Sequence, residues 1–186
     1  GALDPTLRTF DIILKTANGT SYNSYMVRGS DGVAIIDTVK EQFSDVFFAR
    51  LESVARYDEI KVIVLNHLEP DHSGALPELM RRAPQAQLYI SQQAQGMLKA
   101  LLKNGDINFQ TVTTDDTVSL GNRTLRFLHT PYLHWPDTMF SYLTEDNILF
   151  SNDAFGQHYA TEYMFNDLVD QTELFHECIK YYANIF

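Results

Sequence analysis

A layered α/β domain, with metal ligands in the loops at its strand ends, is the fold class that the sequence predicts. Strands and helices alternate in the first half, short strands cluster in the second half, and histidines and carboxylates follow directly after strands. The chain has 186 residues, of which 45% are apolar and 12% aromatic, so it can build one sizeable hydrophobic core. No repeat, low-complexity tract or linker interrupts this pattern.

The composition excludes several function classes. A net charge of -10 at pH 7 provides no basic face for phosphates, so nucleic acid is excluded as a partner. The single cysteine, Cys178, excludes internal disulfides and a four-cysteine iron–sulfur centre, and we expect it to be a small buried residue. No apolar stretch reaches the roughly 18 residues of a membrane span, and no signal-peptide pattern opens the chain. We therefore expect a soluble cytoplasmic protein without a membrane partner.

Hydrophobic periodicity and turn residues predict the elements in order. We expect a hairpin of strands 22–27 and 33–37, a helix at 41–57, a buried strand at Ile60–Leu65, a strand at 87–90, a helix at 92–103 that stops near Gly105, strands at 124–128, 138–143 and 147–150, and a helix at 171–186. Two helices carry an apolar stripe. These stripes are Phe43, Val46, Phe47, Leu51 and Val54 in the first helix, and Leu174, Phe175, Cys178, Ile179 and Tyr182 in the last.

The densest cluster of ligand-type side chains follows the buried strand Ile60–Leu65. His67, Glu69, Asp71 and His72 lie within six positions there. Pro70 must end the strand, so we expect these residues in a loop at its carboxyl end, with a helix opening at Gly74. Neutral imidazoles and carboxylates together suit zinc, iron or manganese, whereas adjacent carboxylates without a cation repel each other. A polar exposed loop with incidental histidines is the alternative.

Two later positions add ligand types after strands. His134 lies in a stretch that Pro131 and Pro136 hold open, and Asp153 directly follows the predicted strand 147–150. Taken singly, each is an ordinary surface histidine or turn-forming aspartate. They indicate a metal site only when they are taken together with the motif at 67–72.

The combined motifs resemble the metallo-β-lactamase-like domain of the flavodiiron proteins. This family, also called A-type flavoproteins, includes rubredoxin:oxygen oxidoreductases and flavorubredoxin nitric oxide reductases. The resemblance implies an αββα sandwich and covers essentially the whole chain. The segments that carry it are Gly19-Thr20-Ser21-Tyr22-Asn23-Ser24-Tyr25, His67-Leu68-Glu69-Pro70-Asp71-His72, His134-Trp135-Pro136-Asp137 and Ser151-Asn152-Asp153-Ala154-Phe155-Gly156-Gln157-His158.

The resemblance also implies which residues bind metal. By this analogy His67, Glu69 and His134 bind one iron, Asp71 and His72 bind the second, and Asp153 bridges the two. Glu69 is the distinguishing position, since zinc hydrolases of the wider superfamily typically carry histidine there.

Further residues are implied near the centre. Either Tyr181 or Tyr182 would donate a hydrogen bond to substrate as a catalytic residue, and Trp135 would lie near FMN of the partner subunit. His158 is a candidate partner that orients a ligand. His129 is expected to be structural and His176 to lie on a helix surface.

The implied function is reduction of dioxygen to water, or of nitric oxide to nitrous oxide, at two iron ions. FMN would deliver the electrons, with rubredoxin or a similar protein as their donor. The family works as a head-to-tail homodimer in which FMN of one subunit faces the diiron centre of the other.

The sequence departs from the family pattern toward its end. One further histidine ligand is expected after Asp153, and the 186 residues end before it. The final elements of the lactamase-like domain and the flavodoxin-like FMN domain are likewise expected to be absent, and the amino terminus to be shortened. Residues 1–186 would therefore be a partial diiron domain. The alternatives are a zinc-dependent hydrolase, in which Asp71 orients a metal-bound hydroxide, and an inactive fragment.

Overall fold

A computed structural model describes residues 1–102 and 107–186 of the chain. The α-helices in these residues are α1 (Ser44–Glu52), α2 (Pro70–Ser73), α3 (Leu76–Arg82), α4 (Ala94–Leu101) and α5 (Gln171–Ile185). The strands are β1 (Ala2–Asp4), β2 (Thr9–Phe10), β3 (Leu14–Lys15), β4 (Thr20–Tyr22), β5 (Tyr25–Arg28), β6 (Val33–Ile36), β7 (Ile60–Leu65), β8 (Gln87–Ser91), β9 (Phe109–Val112), β10 (Thr117–Ser119), β11 (Thr124–His129), β12 (Met139–Leu143) and β13 (Ile148–Phe150). Across both described ranges, no helix has the length and apolar character needed to cross a bilayer.

Two sheets form the centre of the fold. The first has five strands in the order β5-β6-β7-β8-β9, with β6 to β9 parallel and β5 antiparallel to β6. The second is an antiparallel sheet in the order β10-β11-β12-β13. Strand β7 lies in the middle of the first sheet, where its Ile/Val-rich sequence is buried on both faces. The predicted buried strand is therefore confirmed.

Alternating side chains of the first sheet enter two separate cores. Ile35 and Ile63 pack with apolar residues of α1, α3 and α4. Ile36 and Val64 pack instead with the second sheet, through residues such as Phe127. The period of two in a strand thus produces one helical layer and two sheet layers, and it confirms the predicted layered α/β fold.

The predicted hairpin is confirmed, but its first strand is divided. Residues of β5 pair with β6 in antiparallel register, whereas Tyr22 belongs to β4, which pairs with β1 in a separate sheet. Ser24, between the two strands, donates from its Oγ to the backbone carbonyl of Asp37 at 2.8 Å. This contact lies where the chain passes from one sheet to the other.

The prediction of one helix at 41–57 is wrong. A 3-10 turn (Glu41–Phe43) precedes α1, and a second one (Tyr57–Glu59) follows it. Phe47 and Leu51 of the predicted stripe are buried together with Phe48 in the core beneath the first sheet, whereas Val46 and Val54 are exposed. The carbonyl of Val54 accepts a hydrogen bond from Arg28 instead of extending the helix.

The last helix is confirmed, but its predicted buried face is wrong. Leu174, Glu177 and Tyr181 are buried, while Phe175 and Ile179 are 64% and 52% exposed. The stripe one position away, which contains Glu177 and Tyr181, packs inward. It places Tyr181 in the cavity beside the ligand-type cluster. Cys178, expected to be buried, is half-buried, with Sγ 3.2 Å from Oε1 of Gln157.

Helix α4 confirms the core of the predicted helix 92–103. Lys103 and Gly105, at its predicted end, lie outside the described residues. The later strands β11, β12 and β13 match the predicted positions to within a residue.

Candidate metal centre

All six ligand candidates of the sequence come together at one end of the two sheets. His67 and Glu69 follow β7, and Asp71 and His72 lie in α2, which begins directly after them. His134 lies between β11 and β12, and Asp153 follows β13; together the six form two sets that share Asp153. The first set is His67, Glu69, His134 and Asp153; the second is Asp71, His72 and Asp153. Within each set, one candidate ligand atom per residue lies within 4.8 Å of all the others.

The loop predicted after the strand Ile60–Leu65 is a helical turn in its second half, from Pro70 to Ser73. Pro70 occupies the first position of α2, where a missing backbone donor costs nothing. Ser73 donates from Oγ to the carbonyl of Leu68 at 2.9 Å, and Thr38 donates from Oγ1 to the carbonyl of His72 at 2.7 Å. This turn places Asp71 and His72 beside the first set.

In the first set, Glu69 and Asp153 face two imidazoles. Oε2 of Glu69 is 3.2 Å from Nε2 of His67 and 3.3 Å from Nε2 of His134. Oδ2 of Asp153 is 3.5 Å from the same atom of His67 and 3.4 Å from that of His134. Four candidate ligand atoms therefore converge on one point.

In the second set, Asp153 presents its other oxygen. Oδ1 of Asp153 is 3.0 Å from Nε2 of His72, which is 3.8 Å from Oδ2 of Asp71. The two oxygens of Asp153 thus face different sets, which is the geometry of a bridging carboxylate. Asn152 fixes this position, since its Oδ1 accepts from the backbone N–H of Asp153 and its Nδ2 donates to the carbonyl of Met139.

Two buried aspartates that sequence reasoning gave no role lie behind the imidazoles. Oδ2 of Asp137 accepts from the backbone N–H of Leu68 at 2.7 Å and lies 3.2 Å from Nδ1 of His67. Asp37 accepts from the backbone N–H of Asn66 at 2.8 Å, and its other oxygen is 3.7 Å from Nδ1 of His72. The contact with Asp137 orients the imidazole of His67 and selects its tautomer, whereas 3.7 Å is too long for a hydrogen bond between Asp37 and His72. Asp137 ends the motif at 134–137, and that placement was the available signal.

Imidazoles and carboxylates lie close together in the cluster, and they shift one another's pKa values. Burial lowers the pKa of His134, but the carboxylates of Asp153 and Glu69 outweigh it and raise that pKa to about 9. The pKa of His72 is raised well above its usual value, because Asp153 and Asp71 outweigh burial. Burial raises the pKa of Asp71 to about 6, whereas the imidazoles hold the pKa of Asp153 far below its usual range.

These residues fit a pair of metal ions. Oδ1 of Asp71 and Oδ2 of Asp153 are buried without a hydrogen-bond partner in the described part of the chain. Each such atom costs on the order of 1–3 kcal/mol when it stays unpaired. A cation within each set would satisfy both oxygens and relieve the repulsion between carboxylates. Mixed nitrogen and oxygen donors in two adjacent sets suit first-row transition metals.

Aromatic residues and a small cavity adjoin the two sets. Trp135 packs edge-on against His67, with ring centroids 5.1 Å apart. Tyr181 is buried and lines a cavity of about 50 Å³ with Asp71, Asp153 and His158, whereas Tyr182 is 38% exposed. Tyr181 is therefore the tyrosine that adjoins the centre.

The other histidines differ in their surroundings. His158 is buried close to the second set without belonging to either set. His129 contacts the carbonyl of Val112 through Nε2 at 2.8 Å, which confirms a structural role. His176 is exposed on α5, as expected.

Known proteins share this chain's sequence and fold. The family model described as ODP family beta lactamase matches residues 20–183. A type A flavoprotein of Rhodobacter capsulatus is 61% identical over 171 residues, which are 91% of this chain and 39% of that protein. An anaerobic nitric oxide reductase flavorubredoxin of Pectobacterium atrosepticum is 49% identical over 172 residues, which are 92% of this chain and 34% of that protein.

Solved structures agree with these relatives. Rubredoxin oxygen:oxidoreductase from the anaerobe Desulfovibrio gigas superposes with a TM-score of 0.95 at 35% identity, covering 100% of this chain and 46% of that one. The flavodiiron protein from Giardia intestinalis gives a TM-score of 0.92 at 37% identity, covering 98% of this chain and 44% of that one. The chain thus spans less than half the length of these proteins. It belongs to the ODP beta-lactamase family and corresponds to the metallo-β-lactamase-like domain of flavodiiron proteins.

Proposed function

We propose that this chain is the metal-binding domain of a diiron oxidoreductase that reduces dioxygen to water, or nitric oxide to nitrous oxide. The observation that carries the proposal is the pair of donor sets sharing Asp153, with one carboxylate oxygen facing each set. Such sharing places two metal ions side by side. Relatives named as nitric oxide reductase and as oxygen oxidoreductase support the reaction class.

The donor atoms support iron as the metal. In this proposal His67, Glu69 and His134 hold one iron, Asp71 and His72 hold the second, and Asp153 bridges them. A carboxylate at Glu69 makes the first set richer in hard oxygen donors than a set of histidines, which favours iron over zinc. The second set has one residue fewer, so we expect it to hold its ion more weakly.

When bound, two ferrous ions would supply two electrons, which is enough to reduce two nitric oxide molecules to nitrous oxide and water; the reduction of dioxygen to water takes four, so the other two would come from reduced FMN. The residues of this chain hold the ions and shape the surroundings. Asp137 keeps the Nδ1 proton of His67, so that Nε2 is free to bind. Burial and the negative charge of Asp153 raise the pKa of Tyr181, so its phenol stays protonated and can donate a hydrogen bond into the cavity. Trp135 packs against the fully buried ring of His67.

We further propose that electrons reach the centre from FMN on another domain, with rubredoxin or a similar protein as their donor. Relatives named flavoprotein and flavorubredoxin support this, and the chain covers only 39% and 34% of their lengths. The half-buried Trp135 lies beside His134, with ring centroids 6.0 Å apart, and Tyr132 is exposed two positions before His134; a flavin of a partner subunit in a head-to-tail homodimer would approach here.

The test of this function is turnover with an artificial electron donor. The iron-loaded chain, supplied anaerobically with chemically reduced FMN, is expected to consume dioxygen or nitric oxide, as followed with gas electrodes. The iron-loaded chain should consume gas faster than reduced FMN does without protein, whereas the zinc-loaded chain should add nothing to that background rate, since zinc does not change oxidation state. His176→Ala, on the exposed face of α5, is the matched control and should behave as the unmodified chain.

The opposite pattern would support the hydrolase alternative. If the zinc-loaded chain hydrolyses a chromogenic β-lactam or ester while the iron-loaded chain reduces neither gas, the oxidoreductase proposal is wrong.

A further inference from the structure

A cleft opens beside the metal centre, between the β2–β3 hairpin with the residues before it and the start of α2. Its volume is about 180 Å³, and Glu69 and Asp71 both line it. Glu69 belongs to the first donor set and Asp71 to the second, so the cleft reaches both metal positions. A molecule that reacts with two ions at once needs access of this kind.

Asp71 lines this cleft and also the 50 Å³ cavity that contains Tyr181. That cavity contacts Asp71, His72 and the shared Asp153, but among the described residues none that belongs to the first set alone lines it. Of these two spaces, the cleft is thus the one that contacts a residue belonging only to the first set, namely Glu69.

The walls of the cleft suit a small uncharged molecule. Leu7, Phe10 and Pro70 supply apolar surface, and the first two are half-buried. The charged lining residues outside the donor sets, Asp11 and Lys40, carry opposite signs, so together they add little net charge that would attract an ion. Dioxygen and nitric oxide are uncharged and nearly apolar, and such molecules favour apolar surface over water.

We propose that this cleft is the entrance through which an uncharged diatomic molecule reaches the two metal positions, with Leu7 as part of its wall. The proposal rests on the proposed function for the identity of that molecule. A rival entrance passes Tyr25 and Gln157, which line both the 50 Å³ cavity and a larger cleft of about 460 Å³. The rival leads to the second set and Asp153, whereas the proposed entrance also reaches Glu69.

A matched pair of tryptophan variants separates the two entrances. Leu7→Trp narrows the proposed one and Gln157→Trp narrows the rival; both residues are half-buried, and neither belongs to a donor set. Association of nitric oxide with the ferrous protein is followed by stopped-flow absorption. We expect Leu7→Trp to slow association on the order of tenfold and Gln157→Trp to stay within about twofold of the unmodified chain. Because release uses the same route, Leu7→Trp should slow dissociation equally and leave the dissociation constant unchanged.

A third variant controls for the loss of the leucine itself. Leu7→Ala widens the cleft and should not slow association. Metal content and thermal unfolding are measured on every variant. Unchanged association in Leu7→Trp, equal slowing in both tryptophan variants, or equal slowing in Leu7→Ala and Leu7→Trp would each overturn the proposal.

Xenon tests the cleft without any metal. Xenon is an apolar atom that occupies apolar spaces in proteins. In the metal-free chain carrying carbon-13 methyl groups, we expect xenon under pressure to shift the methyl resonances of Leu7, and no shift there would overturn the proposal. If the unmodified chain binds no iron, the proposed function fails, and the xenon result alone decides whether the cleft admits an apolar gas.

Discussion

Replacing Asp153 with asparagine is expected to remove metal from both donor sets at once. The substitution preserves the volume of the side chain but removes the charge that faces His72 from Oδ1 and His67 and His134 from Oδ2. Loss of an outer partner of a metal ligand already costs about 10–100-fold in affinity, so loss of a shared ligand is expected to exceed that in each set. Metal content after gel filtration measures the effect.

Comparing Asp153→Asn with Glu69→Gln shows whether Asp153 binds both metal ions or only one of them. Glu69 faces His67 and His134 but belongs to the first set alone, so its amide variant should lose one ion and keep the other. Both variants remove one negative charge from the same cluster. If Asp153→Asn and Glu69→Gln lose the same single ion, Asp153 is an ordinary ligand of one set.

Metal affinity is expected to rise steeply with pH up to at least about pH 9. In the metal-free chain the pKa of His134 is about 9, and those of His67 and His72 are also raised, so metal must displace protons from imidazole. Each proton displaced contributes about a tenfold change in affinity per pH unit below its pKa. Titration calorimetry in buffers of different ionisation enthalpy counts the protons released.

The free energy of unfolding of the metal-free chain is expected to fall as pH rises, whereas metal affinity rises. A histidine whose folded pKa is raised stabilises the folded state below its unfolded value of about 6.5, and this contribution is lost as pH rises through the folded pKa. For His134 that window extends to about pH 9. Denaturant unfolding should therefore show a less stable metal-free chain at pH 9 than at pH 6.5. A metal-free chain that gains stability across this range would contradict the charge pattern described for the cluster.

The sequence predicts those features of the fold and of the metal centre that depend on residues close together in the chain. The Ile/Val run Ile60–Leu65 predicts a buried strand, and the motif after it places His67 and Glu69 at that strand's end. Pro70 also showed the end of the strand. The same residue begins α2, because proline at a first helical position suits a helix as well as it stops a strand.

Contacts between distant residues could not be predicted in the same way. Asp37 and Asp137 support the motif from 29 and 69 positions away. The motif at 134–137 gave a signal for Asp137, whereas no local pattern marks Asp37 as a partner of the residues after β7. The buried face of α5 was also ambiguous. Two adjacent stripes contain apolar residues, and the one with Glu177 and Tyr181 is buried because Tyr181 reaches the cavity beside Asp153.

The central claim, a two-metal iron centre bridged by Asp153, is tested most directly by the identity and number of metal ions per chain. Elemental analysis of the anaerobically purified protein is expected to find iron at close to two ions per chain when iron is in excess. His67→Ala should lose iron, whereas His176→Ala should retain it. Zinc in place of iron, or no metal in a folded chain, would contradict the diiron account.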